Sequence, residues 1–191
     1  MEEKVITKSE DVVTKTVKAK TSRTKAKTRT KDDLSFNDRV SIDNLCAWVV
    51  GFVSEENGRA IQIDPGVVNY KKLTLAEVDS QVKVGNIAFC GIDGFGSHAA
   101  FRINDPLVRE SVFGEDISPV QLTVDAVNDL LASKNKKEFY NTLSSLVVTD
   151  SEKKMIAIMC SDSERYPDVN IADMPSYMIA EIEKISGLDL D

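Results

Sequence analysis

The sequence predicts an α+β fold: a β-rich N-terminal unit with one helix, then a helical C-terminal part, the whole preceded by a disordered basic tail. Three observations carry this reading. Residues 45–53 form a dense, β-prone apolar run, and Asn57-Gly58 follows, a dipeptide suited to the positive φ angles of a tight hairpin. Thr74-Leu75-Ala76-Glu77 and Thr149-Asp150-Ser151-Glu152 have the form of capping boxes, each opening a helix. After Gly114 the apolar residues recur mainly at helical spacing. The expected divisions are a tail over 1–35, a β-rich unit over 36–114 and a helical unit over 115–191.

Taken in order, the run Leu45, Cys46, Ala47, Trp48, Val49, Val50, Gly51, Phe52 and Val53 reads as a strand. Ala60-Ile61-Gln62-Ile63 alternates like the returning strand, and Asp64-Pro65-Gly66 ends it. Leu75, Val78 and Val82 share one helical face, with Gly85 placed to close the helix in a left-handed conformation. Residues 87–90 read as a short strand, 91–96 as a glycine-rich turn and 98–103 as another strand. In the helical part Thr123 caps a helix carrying Val124, Val127, Leu130 and Leu131, and Asn135 caps one through Phe139, Tyr140 and Leu143. Met155, Ile156, Ile158 and Met159 follow the second capping box. Residues 165–174, with Pro167, read as a loop, and a last helix over 176–185 turns Ile179, Ile182 and Ile185 inward and ends at Gly187.

Charge separates the tail from the rest. Between Val12 and Lys31 there is no acidic residue, while Lys15, Lys18, Lys20, Arg23, Lys25, Lys27, Arg29 and Lys31 recur every two or three positions. The first 31 residues hold ten Lys or Arg against four Asp or Glu, and the other 160 hold 14 against 27. Threonine and alanine fill most of the gaps, so the tail has too little apolar surface to offset the entropy of ordering. Such an arm can neutralise several phosphates or lie on an acidic protein surface. Its lack of aromatics removes the base stacking that single-strand binders use.

Composition excludes several classes. Hydrophobic residues make up 42% of the chain, ordinary for a globular protein. No apolar run approaches the roughly 20 residues that span a bilayer. A charged N-terminus without an apolar stretch argues against a signal peptide, and Glu2, Glu3, Glu10 and Asp11 argue against a transit peptide. Cys46, Cys90 and Cys160 are widely spaced and odd in number, which points to reduced thiols packed as small apolar residues. With one histidine and no close cysteine pair, neither zinc nor any other cofactor is expected.

The most unusual internal stretch is Gly91-Ile92-Asp93-Gly94-Phe95-Gly96-Ser97-His98. Successive amides there could form an anion-binding nest. Its spacing fits neither a dinucleotide fingerprint nor a phosphate-binding loop with lysine, and a hairpin using glycine for positive φ is the plainer reading. His98 is the sole histidine, so imidazole chemistry would have to use it. Ser97 and His98 fall on opposite faces of a strand beginning there, which favours a structural hydrogen bond for His98 over a Ser-His pair. Asp162, Glu164, Asp168, Asp173, Asp189 and Asp191 read as a solvated acidic loop and terminus rather than a cation site. Trp48 and Phe52, at even spacing, read as core residues of one strand. No catalytic and no metal-binding residue is assigned.

One set of residues carries a family likeness. Ser41-x-Asp43-Asn44-Leu45-Cys46-x-Trp48 is followed by Leu73-Thr74-x-x-Glu77-Val78-x-x-Gln81-Val82-x-x-Gly85-Asn86, then by Phe89-x-Gly91-x-Asp93-Gly94-x-Gly96-Ser97-His98-Ala99. Over residues 40–105 the chain resembles small proteins encoded among the virion-assembly genes of tailed bacteriophages. The resemblance implies a virion context, with host cytoplasm as the place of assembly, and it implies no catalytic residues. The expectation is therefore a non-enzymatic virion protein of the head or portal region, oligomeric or part of a larger assembly. Its body would bind other virion structural proteins, and its eight basic arm residues would bind DNA or an acidic surface. The alternative is an intracellular nucleic-acid-binding regulator that reads with its helical half, where Lys134, Lys136, Lys137, Lys153 and Lys154 cluster.

Overall fold

A computed structural model describes residues 29–115, 117–172 and 174–190. Within them the strands are β1 (Arg39–Asn44), β2 (Val50–Val53), β3 (Ala60–Ile63), β4 (Tyr70–Thr74) and β5 (Phe101–Ile103). The helices are α1 (Leu75–Lys83), α2 (Ile87–Cys90), α3 (Pro106–Phe113), α4 (Val124–Leu131), α5 (Lys136–Leu146), α6 (Asp150–Ser161) and α7 (Ser176–Ser186). The fold is α+β. β1 lies between β4 and β5 in a three-stranded antiparallel sheet, with Val40 opposite Leu73 and Ile42 opposite Ile103. β2 and β3 form a separate hairpin, Phe52 facing Ile61.

The two capping boxes form as read, and β2 and β3 form a hairpin. Its connection, however, spans residues 54–59, and Gly58 takes positive φ (67°) while Asn57 does not, so it is not the tight turn expected. Thr74 and Thr149 each accept a hydrogen bond from the N3 amide, and Glu77 and Glu152 each reach back to the cap. Thr123 and Asn135 cap α4 and α5, and Gly187 ends α7 at a φ of 69°.

Four further readings need correction. The apolar run 45–53 is not one strand: only 50–53 is extended, and β1 lies upstream. The cause is Asn44. Its amide donates to the carbonyls of Trp48, Ile63 and Asp64, each at 3.0 Å, and its Oδ1 accepts the Cys46 N–H, winding the chain out of the sheet. Within the loop Cys46 is buried, Leu45, Ala47 and Trp48 are half-buried and Val49 is exposed, and Trp48 and Phe52 lie on different elements. Residues 87–90 form a single helical turn rather than a strand, because the Asn86 side chain accepts the Ala88 amide and its carbonyl accepts those of Phe89 and Cys90. The strand expected over 98–103 shrinks to 101–103, since His98 sits at a φ of 62° inside a turn. Finally, α3 was not anticipated, although Asp105 caps it, Pro106 occupies its first turn and Gly114 ends it in the left-handed region.

Two apolar clusters divide along the chain. The first gathers Val40, Ile42, Leu73, Val78, Phe89 and Phe101 among others. The ring of Phe52 meets Phe89 at 5.0 Å and 87° and Phe101 at 5.9 Å and 72°, the edge-to-face geometry aromatic quadrupoles favour. The second gathers Val127, Leu130, Phe139, Ile156, Met178 and Ile182 from α4 to α7. Ala47 and Trp48, from the β1–β2 loop, pack against this second cluster, so the loop stitches one unit to the other.

The two buried carboxylates of the β-rich unit are each held by several donors. Asp43 accepts from the Asn69 N–H and the Asn104 amide, both at 2.7 Å, and from Arg102 Nη2 at 2.6 Å. Burial works against its ionisation, but these donors win and hold its pKa below the ordinary carboxylate value. Glu77 is likewise held low despite desolvation, by Thr74, Asn57, Arg59 and Ser54. It thereby ties the hairpin loop to the start of α1.

Candidate functional site

Two places on the molecule bear on function, the root of the basic arm and a cavity between the two clusters. At the root, a short 3-10 turn (Lys31–Asp33) seats the chain on the body. Arg29 pairs with Asp38 and, at 3.4 Å, with Asp105, while Lys31 pairs with Glu110 at 3.3 Å. The carbonyls of Phe36 and Asp38 accept the amides of Ala76 and Leu75, which pins the segment to the start of α1. Residues from Arg29 onward, which composition groups with the tail, therefore lie against acidic side chains of the body. Lys15, Lys18, Lys20, Arg23, Lys25 and Lys27 lie outside the described residues.

The cavity, of about 300 Å3, opens between the β1–β2 loop, α2, the 91–98 turn and α6. The loop supplies Cys46 and Trp48, α2 supplies Ala88, the turn supplies His98, and α6 supplies Glu152 and Met155. The seam around it is bonded as well as packed. The Ala47 N–H reaches Met155 Sδ at 3.2 Å, Arg165 donates to the Ala47 carbonyl, and Gln121 donates to the carbonyls of Gly96 and Phe101.

The turn is built to present His98. Gly91, at a φ of 62°, has no room for a side chain: a Cβ there would meet the Ser97 carbonyl oxygen at 1.7 Å. The amides of Ile92 and Gly96 are taken by the carbonyls of Ser97 and Cys90, and those of Phe95 and Ser97 by the Asp93 carboxylate. Asp93 thus fills its own nest, so these amides are not free for an external anion. The turn joins α2 to β5 and is not a hairpin. Ser97 accepts the Val120 N–H through its hydroxyl, and the His98 N–H donates to the Val120 carbonyl at 2.7 Å.

The expected structural hydrogen bond of His98 is made across the seam: its Nδ1 lies 2.8 Å from Glu152 Oε1. Both side chains are nearly buried, 8% and 10% exposed. The other oxygen of Glu152 already accepts the Val148 and Thr149 N–H groups and the Thr149 hydroxyl. A carboxyl accepting that many donors is a carboxylate, so Nδ1 of His98 carries the proton. In the neutral ring the opposite nitrogen, Nε2, then holds the lone pair, and it has no hydrogen-bond partner among the described residues. Chemically this imidazole can accept a hydrogen bond from whatever enters.

Two potential nucleophiles beside it, Cys46 and Thr149, are held back. Burial, reinforced by the nearby Glu152 carboxylate, pushes the Cys46 thiol up to about 11, so it stays protonated at neutral pH. The Thr149 hydroxyl is committed to its capping box. Sequence reasoning treated Glu152 only as a cap and missed it as the partner of His98, 54 residues away. The one available signal was its place on the helical face of Met155 and Ile156, which marked it for burial.

Of the acidic loop and terminus, Asp173 and Asp191 lie outside the described residues. Asp162 accepts the Arg165 N–H, and among the described residues no three His, Cys, Asp or Glu side chains converge to hold a metal. Among those residues no helix is long and apolar enough to cross a membrane. Compared with protein-family models, with curated proteins and with solved structures, the chain gives no significant match.

Proposed function

We propose that this chain is a non-enzymatic, virion-associated structural or accessory protein of a tailed phage, acting in the head or portal region. Its folded body docks on other virion proteins, and its basic arm engages packaged DNA or an acidic protein surface. The observation that carries this reading is the charge division, ten basic against four acidic residues up to Lys31 and 14 against 27 beyond it. An acidic body repels DNA and leaves such contact to the arm. The ion pairs of Arg29 and Lys31 fit this division, because they fasten the base of the arm and leave Lys15, Lys18, Lys20, Arg23, Lys25 and Lys27 upstream as its binding charge. The motif likeness over residues 40–105 supplies the virion context. The regulator alternative draws less support. Lys136 lies over the rings of Tyr140 and Tyr177, and Lys153 pairs with Asp150, so these cations already have partners within the helical unit.

The test compares the full chain with a variant carrying glutamine at Lys15, Lys18, Lys20, Arg23, Lys25 and Lys27. Neutralising six phosphates predicts a log–log salt slope of about −5 for duplex DNA, lost in the variant. If DNA binding is absent but particle proteins are captured in the same salt-sensitive way, the arm binds protein. Binding that is equal in the two chains, or indifferent to salt, removes the arm from the account. Cross-linking in purified particles checks the other half: absence of the chain from particles sinks the virion assignment.

A further inference from the structure

The cavity at the seam is unused by the proposed function, and its chemistry is specific. We infer that it is a binding site for a small, mostly apolar molecule bearing one hydrogen-bond donor, a hydroxyl above all, received by Nε2 of His98. Three features converge. The walls are apolar, with Trp48, Ala88 and Met155 among them, and a volume of about 300 Å3 is at the small end of the range for ligand pockets. The one imidazole facing the space is 92% buried on its side chain, from an exposure of 8%, yet its Nε2 has no partner among the described residues. Glu152 holds the Nδ1 proton, so in the neutral ring Nε2 offers a lone pair, which selects donors over carboxylates and phosphates.

The backbone is arranged to this end. His98 holds a left-handed conformation, with φ of 62°, uncommon outside glycine, and the surrounding turn maintains it. Trp48, the only tryptophan in the chain, lines the same space and reports on occupancy directly.

The experiment uses the full chain and cyclohexylmethanol, which does not absorb where Trp48 is excited, with its methyl ether as the matched compound lacking a donor. The alcohol should change Trp48 fluorescence saturably and bind about tenfold tighter than the ether. That ratio is the upper end of what one net hydrogen bond supplies. His98→Asn should bring the two compounds to within about twofold of each other. Ala88→Leu, which fills the cavity without touching the His98–Glu152 pair, should abolish saturable binding of both while the thermal unfolding midpoint stays close to that of the parent. Equal affinity for alcohol and ether overturns the inference, as does no saturable response, or binding that survives Ala88→Leu. If His98→Asn does not fold, the alcohol-to-ether ratio in the unmodified chain and the Ala88→Leu result decide between these outcomes. None of these readings depends on the arm or on a virion.

Discussion

The β-rich unit and the helical unit both bury an apolar cluster, but they treat polarity in opposite ways. The first encloses Asp43, Asn44, Ser54, Glu77 and Gln81. Among the described residues the second encloses Gln121 and Glu152, and both of these face the seam, toward Gly96, Phe101 and His98. Helices satisfy most of their peptide groups internally, so α4 to α7 can pack with aliphatic, sulfur and aromatic side chains alone. Short strands joined by buried loops leave peptide groups over, and side chains must take them up. Asn44 serves three carbonyls, and Gln81 reaches the Val53 carbonyl at 2.8 Å. Polar residues in this protein mark where irregular backbone is buried.

The largest expected effect tests whether the two units stand together. Phe89→Ala removes the ring that touches both Phe52 and Phe101 and should cost about 3–5 kcal/mol. If the seam couples the units, urea unfolding of this variant stays a single transition by Trp48 fluorescence and by circular dichroism. Two separate transitions would mean that the bonds across the seam are incidental.

Next in size is Asp43→Ala, which strands the Asn69 N–H, the Asn104 amide and the Arg102 guanidinium at once. Arg102 is 39% exposed and can turn to water, so the loss should be about 2–3 kcal/mol, read from denaturant midpoints. A cost under about half a kcal/mol would show that the polar network is decoration rather than a requirement of the short sheet.

The gentlest test is acid, which removes the same charges but leaves the atoms in place. Asp43 and Glu77 have folded-state pKa values below their ordinary 3.8 and 4.5. The unfolded chain therefore takes up protons first, and the stabilisation, complete above about pH 5, drains away as pH falls through the folded values. Thermal midpoints should fall below pH 4.5, and fall less in an Asp43→Asn chain. A midpoint flat from pH 6 to pH 3 would contradict the assigned hydrogen bonds.

Legibility in the sequence follows the same division. The helical unit could be read because its signals are local: Thr123, Asn135 and Thr149 cap within three residues, and apolar side chains repeat along one face. That β2 and β3 form a hairpin was legible for the same reason. What escaped was non-local. Asn44 breaks the chain out of β1 by bonding to carbonyls up to 20 residues away, so an apolar loop looked like strand. The cavity was hidden more deeply, since its histidine and carboxylate come from different units and nothing near either one announces the other. By contrast, α3 had legible local signals in Asp105, Pro106 and Gly114 and is as long as α4, so neither length nor absent information concealed it.

One consequence of the sheet order concerns biosynthesis. β1 is the middle strand, yet it is made first, and both neighbours arrive later, β5 only at residues 101–103. During translation one edge of β1 gains its partner with β4 at residues 70–74, but the other stays open until β5 at 101–103, just past the middle of the 191-residue chain, a wait that non-local pairing makes costly. A chaperone that shields this nascent stretch would raise the yield of properly closed molecules.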